Sequence, residues 1–355
     1  MSTDDDLRAD NEARRLRTLL GAPEHAPREP LSTADEALLA RILATPVAVP
    51  AEPARRPWAA RGPARIAVAA AVVLGLVVAG ISWQSRGTGA QAGPPPVLEF
   101  SAGTVDDALA DTLPSARDTL TAISGAAAAQ PATGGSGVQR IQSYAWYLNF
   151  DAARQDAELA TTFTDLRISP DGSVVSREVR APALDLHGDV IDPDRYPLGG
   201  AASVDRLPAG TMDADYAAQL PRDPVALRDA FLATDPQCRA STDDEERCLY
   251  YAITDLYGRA VVPADLSATV WAMLADEPAA RTLGTTRDRV GRTGEAVVMH
   301  GPDATDALRL LVIDPATGQL LSWELVGTGL PGTVFDEPTV TSFQAITSAQ
   351  WVPER

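Results

Sequence analysis

Hydrophobic and polar positions change period several times along this chain, and each change marks an element. From Ile66 to Trp83 there is no period at all. The run IAVAAAVVLGLVVAGISW carries no charge, and at about 1.5 Å per residue it reaches roughly 27 Å, close to the roughly 30 Å hydrocarbon core of a bilayer. A single transmembrane helix is predicted over 66–83. Before it, residues 1–65 show two short amphipathic patterns. One runs Asp4 to Leu20, with Leu7, Leu16, Leu19 and Leu20 apolar; the other runs Asp35 to Ala44, opened by a Thr33/Glu36 capping box and stopped by Pro46. Two such helices joined by proline-rich chain bury too little surface to stand alone, so they stay loose or fold against a partner.

Beyond the span, residues 84–96 (QSRGTGAQAGPPP) read as a linker, flexible first and stiff through its prolines. A helix is predicted from Ser115 to Ala129. The period then becomes two: in Arg140 to Phe150, Ile141, Ser143, Ala145 and Tyr147 alternate with Gln142, Tyr144, Trp146 and Leu148 in a strand. Strands over Thr161–Ser169 and Ser173–Arg180 follow, joined by the turn Pro170-Asp171-Gly172. The acidic, proline-rich section Ala181–Arg222 has no period and reads as an irregular excursion. Asp223-Pro224 has the order of cap and first-turn proline that opens a helix, and further helices are expected at Glu246–Tyr257 and Ala264–Ala275. Strands resume at Thr286–Val290, Glu295–His300, Leu308–Ile313, Gln319–Val326 and Thr339–Trp351, with a glycine turn at Asp314–Gly318. Strands flanking a helical block imply an α+β domain over 97–355, a curved antiparallel sheet covered on one face by helices.

Charge orients this arrangement. Arg55, Arg56, Arg61 and Arg65 crowd the N-terminal flank of the apolar run against Arg86 beyond it, so residues 1–65 are expected inside the cell and the large domain outside, with Trp83 anchoring the outer interface. The run starts too far from the N-terminus for a cleaved signal and reads as an uncleaved signal-anchor. Acids and arginines balance in residues 1–65, so the outer part carries the whole net charge of −18. Such an acidic domain argues against nucleic acid and anionic lipid as partners and for solubility or basic ligands.

The cysteines, Cys238 and Cys248, both lie beyond the span, where an oxidising exterior permits a disulfide closing the stretch around Thr242-Asp243-Asp244, read as a loop between two helices. Catalytic chemistry finds no anchor. His187 and His300 stand apart, and the chain has no H-E-x-x-H, G-x-S-x-G, Walker A or S-x-x-K pattern, so neither an enzyme nor a cofactor or metal site is expected. Residues 1–65 likewise lack the cysteines of a zinc-binding His/Cys motif. Tyr144, Trp146 and Tyr147 serve either a ligand cavity or the core.

The order of PPVLEF at Pro95–Phe100, the strand VQRIQSYAWYL, the helix opening DPVALRDAFL, the stretch DRVGRTGEAVV and the hairpin LLVIDPATGQLLSWELV resembles a family of actinobacterial single-pass membrane proteins often encoded beside extracytoplasmic-function sigma factors. The outer domain is also similar in pattern to the curved-sheet fold of periplasmic lipoprotein carriers and of a sensor acting on an envelope-stress anti-sigma factor. That resemblance implies a hydrophobic concavity between sheet and helices. Two functions follow as expectations: a membrane-anchored extracytoplasmic binding or sensing protein that regulates a cytoplasmic partner, such as a sigma factor, through residues 1–65; or a lipid- or hydrophobe-binding outer domain with an inert inner tail.

Overall fold

A computed structural model describes residues 94–131, 135–151, 156–180, 202–299, 307–330 and 333–354. The predicted cytoplasmic helices, the apolar run 66–83, its flanking Arg55, Arg56, Arg61, Arg65 and Trp83, and both outer histidines lie outside the described residues. Among the described residues no helix is long and apolar enough to cross a membrane.

One antiparallel sheet organises the domain. Its strands are β1 (Val138–Asp151), β2 (Asp156–Ile168), β3 (Val174–Arg180), β4 (Ala202–Leu207), β5 (Ala280–Arg287), β6 (Thr293–Met299), β7 (Ala307–Ile313), β8 (Leu320–Leu330) and β9 (Thr333–Val352), in the order β4-β3-β2-β1-β9-β8-β7-β6-β5. Two meanders, β1–β4 and β5–β9, therefore meet where β9 pairs with β1, Tyr144 opposite Ala345 and Trp146 opposite Phe343. The Asp171-Gly172 turn closes β2 onto β3 with Gly172 at φ +78°, and the Asp314–Gly318 turn precedes β8 with Gly318 at φ +69°, the left-handed region that glycine enters at no steric cost.

Between the meanders lies the helical block: α3 (Tyr216–Gln219), α4 (Pro224–Leu232), α5 (Thr242–Arg259) and α6 (Ala264–Ala275), joined on the same face by α2 (Arg117–Ala128). Asp223 caps α4, its carboxylate accepting from Ala226 N, and Pro224 fills the first turn, where no amide donor is needed. These helices bury Leu120, Phe231, Ile253, Leu256 and Trp271 against Ile141, Ile168, Val297, Leu311 and Ile346 of the sheet. This is the core the sequence pattern anticipates.

The opposite face departs from it. Over β5–β8 that face is also buried, beneath the segment from Val97 to Leu113 that contains α1 (Val105–Leu109), and forms a second core with Leu283, Val298, Leu310, Val326 and Phe343. Burial on both faces explains why β6 and β7 read as unbroken apolar runs, AVVM and LLVI.

Several boundaries differ for physical reasons. β4 and α3 sit inside the section expected to be irregular, because a six-residue strand and a single helical turn are too short to carry a period. β5 runs Ala280–Arg287 rather than 286–290, and Asp288 to Gly291 form the turn into β6, with Gly291 N donating to Asp288 O. α5 begins at Thr242, capped by Ser241, so the acidic stretch is its first turn and not a loop. Cys238, in a 3-10 turn at Pro236–Arg239, is bridged to Cys248 within that helix, with Cα atoms 5.7 Å apart. Closing so short a loop restricts the unfolded chain by about 3 kcal/mol.

Candidate functional site

The space between sheet and helices, where the resemblance places a concavity, is filled by the side chains of Leu120, Ile123, Phe231, Ile253 and Trp271, all essentially inaccessible. The aromatic residues of β1 divide across the sheet. Trp146 is buried in the second core, stacked on Phe343 at 6.4 Å with a 6° interplanar angle, and Tyr144 leans on the same ring at 5.6 Å. Tyr147 faces the other way, part-exposed, its hydroxyl bonded to Gln344. They are packing residues rather than a cavity lining. Among the described residues no group of three or more His, Cys, Asp and Glu side chains is placed to hold a metal ion.

Two features on the face opposite the helices stand out. The first is the junction at which the chain enters the domain. Pro95 is buried, and Pro96 O accepts a hydrogen bond from Arg289 Nη1 at 2.8 Å. Arg289 simultaneously forms a bidentate pair with Glu324, 2.7 Å on each arm, and lies 5.2 Å from the centre of the Phe343 ring. The Glu324 side chain is fully buried and that of Arg289 only 11% exposed. Burial pushes the Glu324 carboxyl up, and the Arg289 guanidinium opposes the shift. Burial likewise raises the Tyr144 phenol, with Arg289 again opposing. From Pro96 the chain continues as an added edge: Phe100 bridges Thr286, Thr286 Oγ1 donates to Glu99 O, Ser101 N donates to Thr285 O and Ala102 N to Leu283 O. The two prolines that read as linker thus belong to the folded domain.

The second feature is a lattice of arginines on the β1–β4 half of the same face. Pairing sets Arg140 opposite Arg167, Arg167 opposite Val175 and Val175 opposite Arg206; one row along, Gln142 faces Asp165, Asp165 faces Arg177 and Arg177 faces Val204. Directly opposed residues share a face, so Arg140, Arg167 and Arg177 adjoin Asp165, and Arg206 lies one strand further out beside Val175. Asp165, Arg167, Val175, Arg177, Val204 and Arg206 line a shallow groove of about 210 Å³. Arg140 grips Asp165 through both oxygens at 2.8 and 2.6 Å, and Arg167 reaches it at 3.5 Å. Burial alone raises the Asp165 carboxyl, but the Arg140 hydrogen bonds and the charges of Arg140 and Arg167 outweigh it, holding the group below the ordinary carboxylate range.

A carboxyl lowered on folding stabilises the folded state above its unfolded value, and the contribution fades as pH falls through the folded value. Arg140→Ala is therefore expected to cost about 1–2 kcal/mol at pH 7 and much less at an acid pH low enough to protonate Asp165 in both proteins. Urea midpoints of the two proteins at both pH values check this; an equal gap at both would assign the loss to packing instead.

Of the residues singled out in the sequence, Cys238 and Cys248 sit on the helical side, away from both features, whereas Tyr144 and Trp146 lie on the opposite face against Phe343. Neither the Arg289–Glu324 pair nor the arginine lattice is visible in the sequence, since each depends on strand register. No local signal marks the lattice, because each of the four strands contributes one arginine to it.

No protein-family model and no curated protein matches the chain. It is similar to chains in two solved structures. One is described as the complex structure of Pseudomonas aeruginosa MucA/MucB (TM-score 0.26, 15% identity, covering 68% of this chain and 58% of that one). The other is a crystal structure of MucB (TM-score 0.25, 13% identity, covering 68% of this chain and 60% of that one). Each match thus spans less than two thirds of the matched chain, and at these scores the likeness assigns no role to any residue.

Proposed function

We propose that the chain is a membrane-anchored extracytoplasmic sensing protein. In this reading Ile66–Trp83 crosses the membrane once, residues 1–65 meet a cytoplasmic regulatory protein such as a sigma factor, and the sheet domain outside binds without catalysing. The observation that carries it is the junction: the chain emerging from the predicted span is built into the second core at Pro95–Phe100, clamped by Arg289 and paired to β5. A tether whose end forms part of the domain's packing delivers any pull along it to the second core. The bridged cysteines fit the outside placement. A hydrophobe carrier would need an open interior, and the space between sheet and helices is filled instead.

Deletion of residues 1–50 tests the regulatory half. Loss of transcriptional response and of co-purification with a cytoplasmic partner, at unchanged membrane level, is the expected result. Unaltered transcription and an unaltered interaction profile would sink it.

A further inference from the structure

The segment that covers the second core is fastened along one edge. Every hydrogen bond described between residues 96–113 and the rest of the domain ends on β5 or on the turn that follows it. Arg289 holds Pro96 O, and Thr286 Oγ1 donates to Glu99 O at 2.7 Å. Ser101 N and Ala102 N donate to Thr285 O and Leu283 O, each at 3.0 Å, and Arg281 Nε donates to Asp111 Oδ1 at 2.9 Å. The segment is thus zipped to a single strand. Against the strands further in, Val105, Ala108 and Leu113 lie by apolar contact.

Its far end is fixed. Thr282 N donates to Pro114 O and Ala116 N to Ala280 O, and Ala116 is already buried in the helical core, so α2 starts beyond a firm attachment. Just before that point Asp111 stands at φ +50°, the one non-glycine in the left-handed region among the described residues. An L residue is strained there, and release relieves it. Once lifted, the five residues of α1 are too few to hold a helix on their own. Gly284 of β5 makes room for the segment: a Cβ there would stand 2.5 Å from Ser101 Oγ and 2.8 Å from Ala102 Cβ.

We propose that residues 96–113 are a releasable strap: a pull on the tether strips them from β5 as one unit, baring the second core while the sheet and the helical core stay folded. The pull enters at Pro96, so the Arg289 clasp yields first, then the pairing of Glu99 to Ala102, then the Arg281 clasp on Asp111. All of these bonds lie on one edge. No strand pair of the sheet has to part. Resting on the anchored reading above, release frees about eighteen residues of tether and adds at most roughly 60 Å of reach between membrane and domain. Strain at the anchor becomes a change of length, and Leu283, Val298 and Leu310 lose their cover.

Two measurements on the full chain in detergent test this. Cys238 and Cys248 are bonded to each other, so one introduced thiol reports alone. Ala108→Cys in α1, Ala296→Cys on the covered face of β6 and Ala260→Cys in the helical core are labelled with a thiol reagent, one variant at a time. The first two are expected to react at matching rates, at least about tenfold faster than the third, because opening of the strap exposes both and only wider unfolding exposes Ala260→Cys. Adding Gly284→Ala should speed the first two at least about fivefold more and leave the third within about twofold. Three equal rates would overturn the proposal, as would an Ala296→Cys thiol as slow as the Ala260→Cys one. So would a Gly284→Ala effect shared by all three. Optical-trap pulling between Gly93→Cys and the C-terminus should show a first, reversible step of roughly 60 Å before the sheet yields. Unfolding in one step without that precursor would equally defeat it. Flotation with neutral vesicles in high salt judges the anchor separately: a chain that fails to float refutes the anchoring and the added reach, while labelling and pulling still judge the strap.

Discussion

Arg289→Met is expected to destabilise the domain by about 3–5 kcal/mol, one of the two largest losses available to a single substitution in this protein. The reason is asymmetric desolvation. The Glu324 carboxylate is fully buried and its two oxygens are occupied by Arg289 alone among the hydrogen bonds described; without that partner it must take up a proton or stay charged in an apolar layer beside Phe343. Pro96 loses its donor at the same stroke. The double variant Arg289→Met with Glu324→Leu should recover most of the loss, because replacing both charges leaves nothing unpaired. Denaturant unfolding of the four proteins of this cycle provides the measurement. A double variant no more stable than Arg289→Met would show that the pair acts through packing and not through charge.

The second large loss is expected at Trp271→Ala, again about 3–5 kcal/mol, or a fall in Tm of roughly 10 °C. Trp271 is fully buried at the centre of α6, stacked on Tyr257 at 5.8 Å, and its Nε1 donates to Gly318 O at 2.6 Å. The same carbonyl accepts from Ser267 Oγ at 2.6 Å and Tyr257 OH at 3.3 Å, so one turn residue binds two helices to the β7–β8 hairpin. Gly318 is itself irreplaceable: an added Cβ would come within 2.6 Å of Ala127 Cβ in α2, at a backbone φ of +69°. Trp271→Phe keeps most of the volume and loses the donor, and should cost about 1–2 kcal/mol. Thermal unfolding of both variants separates the contributions of volume and hydrogen bond; equal losses would deny the carbonyl any special weight.

These two sites also mark what the sequence reveals and what it conceals. The helical core is legible because its signals are local. Leu266, Val270 and Leu274 recur at helical spacing, Asp223-Pro224 announces a start, and Asp171-Gly172 and Thr317-Gly318 announce turns. Strands such as VVM in β6 and LLVI in β7 are equally plain, although nothing in them says that both faces are covered. That cover, Val97 to Leu113, hides because it sustains no period, and the capping box of Thr104 and Asp107 opens a helix only five residues long. The Arg289–Glu324 pair and the arginine lattice hide differently. Arg289 and Glu324 are 35 residues apart, and Arg140, Arg167, Arg177 and Arg206 become neighbours only when strand register is known. Local pattern predicts elements; chemistry assembled across a sheet requires their alignment.

The pairing of β1 with β9 also dictates how the chain must come together in time. Thr347 Oγ1 donates to Gln142 O across a separation of 205 residues, and the register around it joins the first strand of the sheet to the last. During synthesis the β1–β4 meander emerges with one long edge of β1 bare, Tyr144 and Trp146 uncovered, while everything up to β9 is still being made. Such an edge is a template for the wrong strand, and loop closure of this length is slow. The final strand thus acts as the lock of the whole domain, and the interval before it arrives is when the chain most needs protection from its own copies.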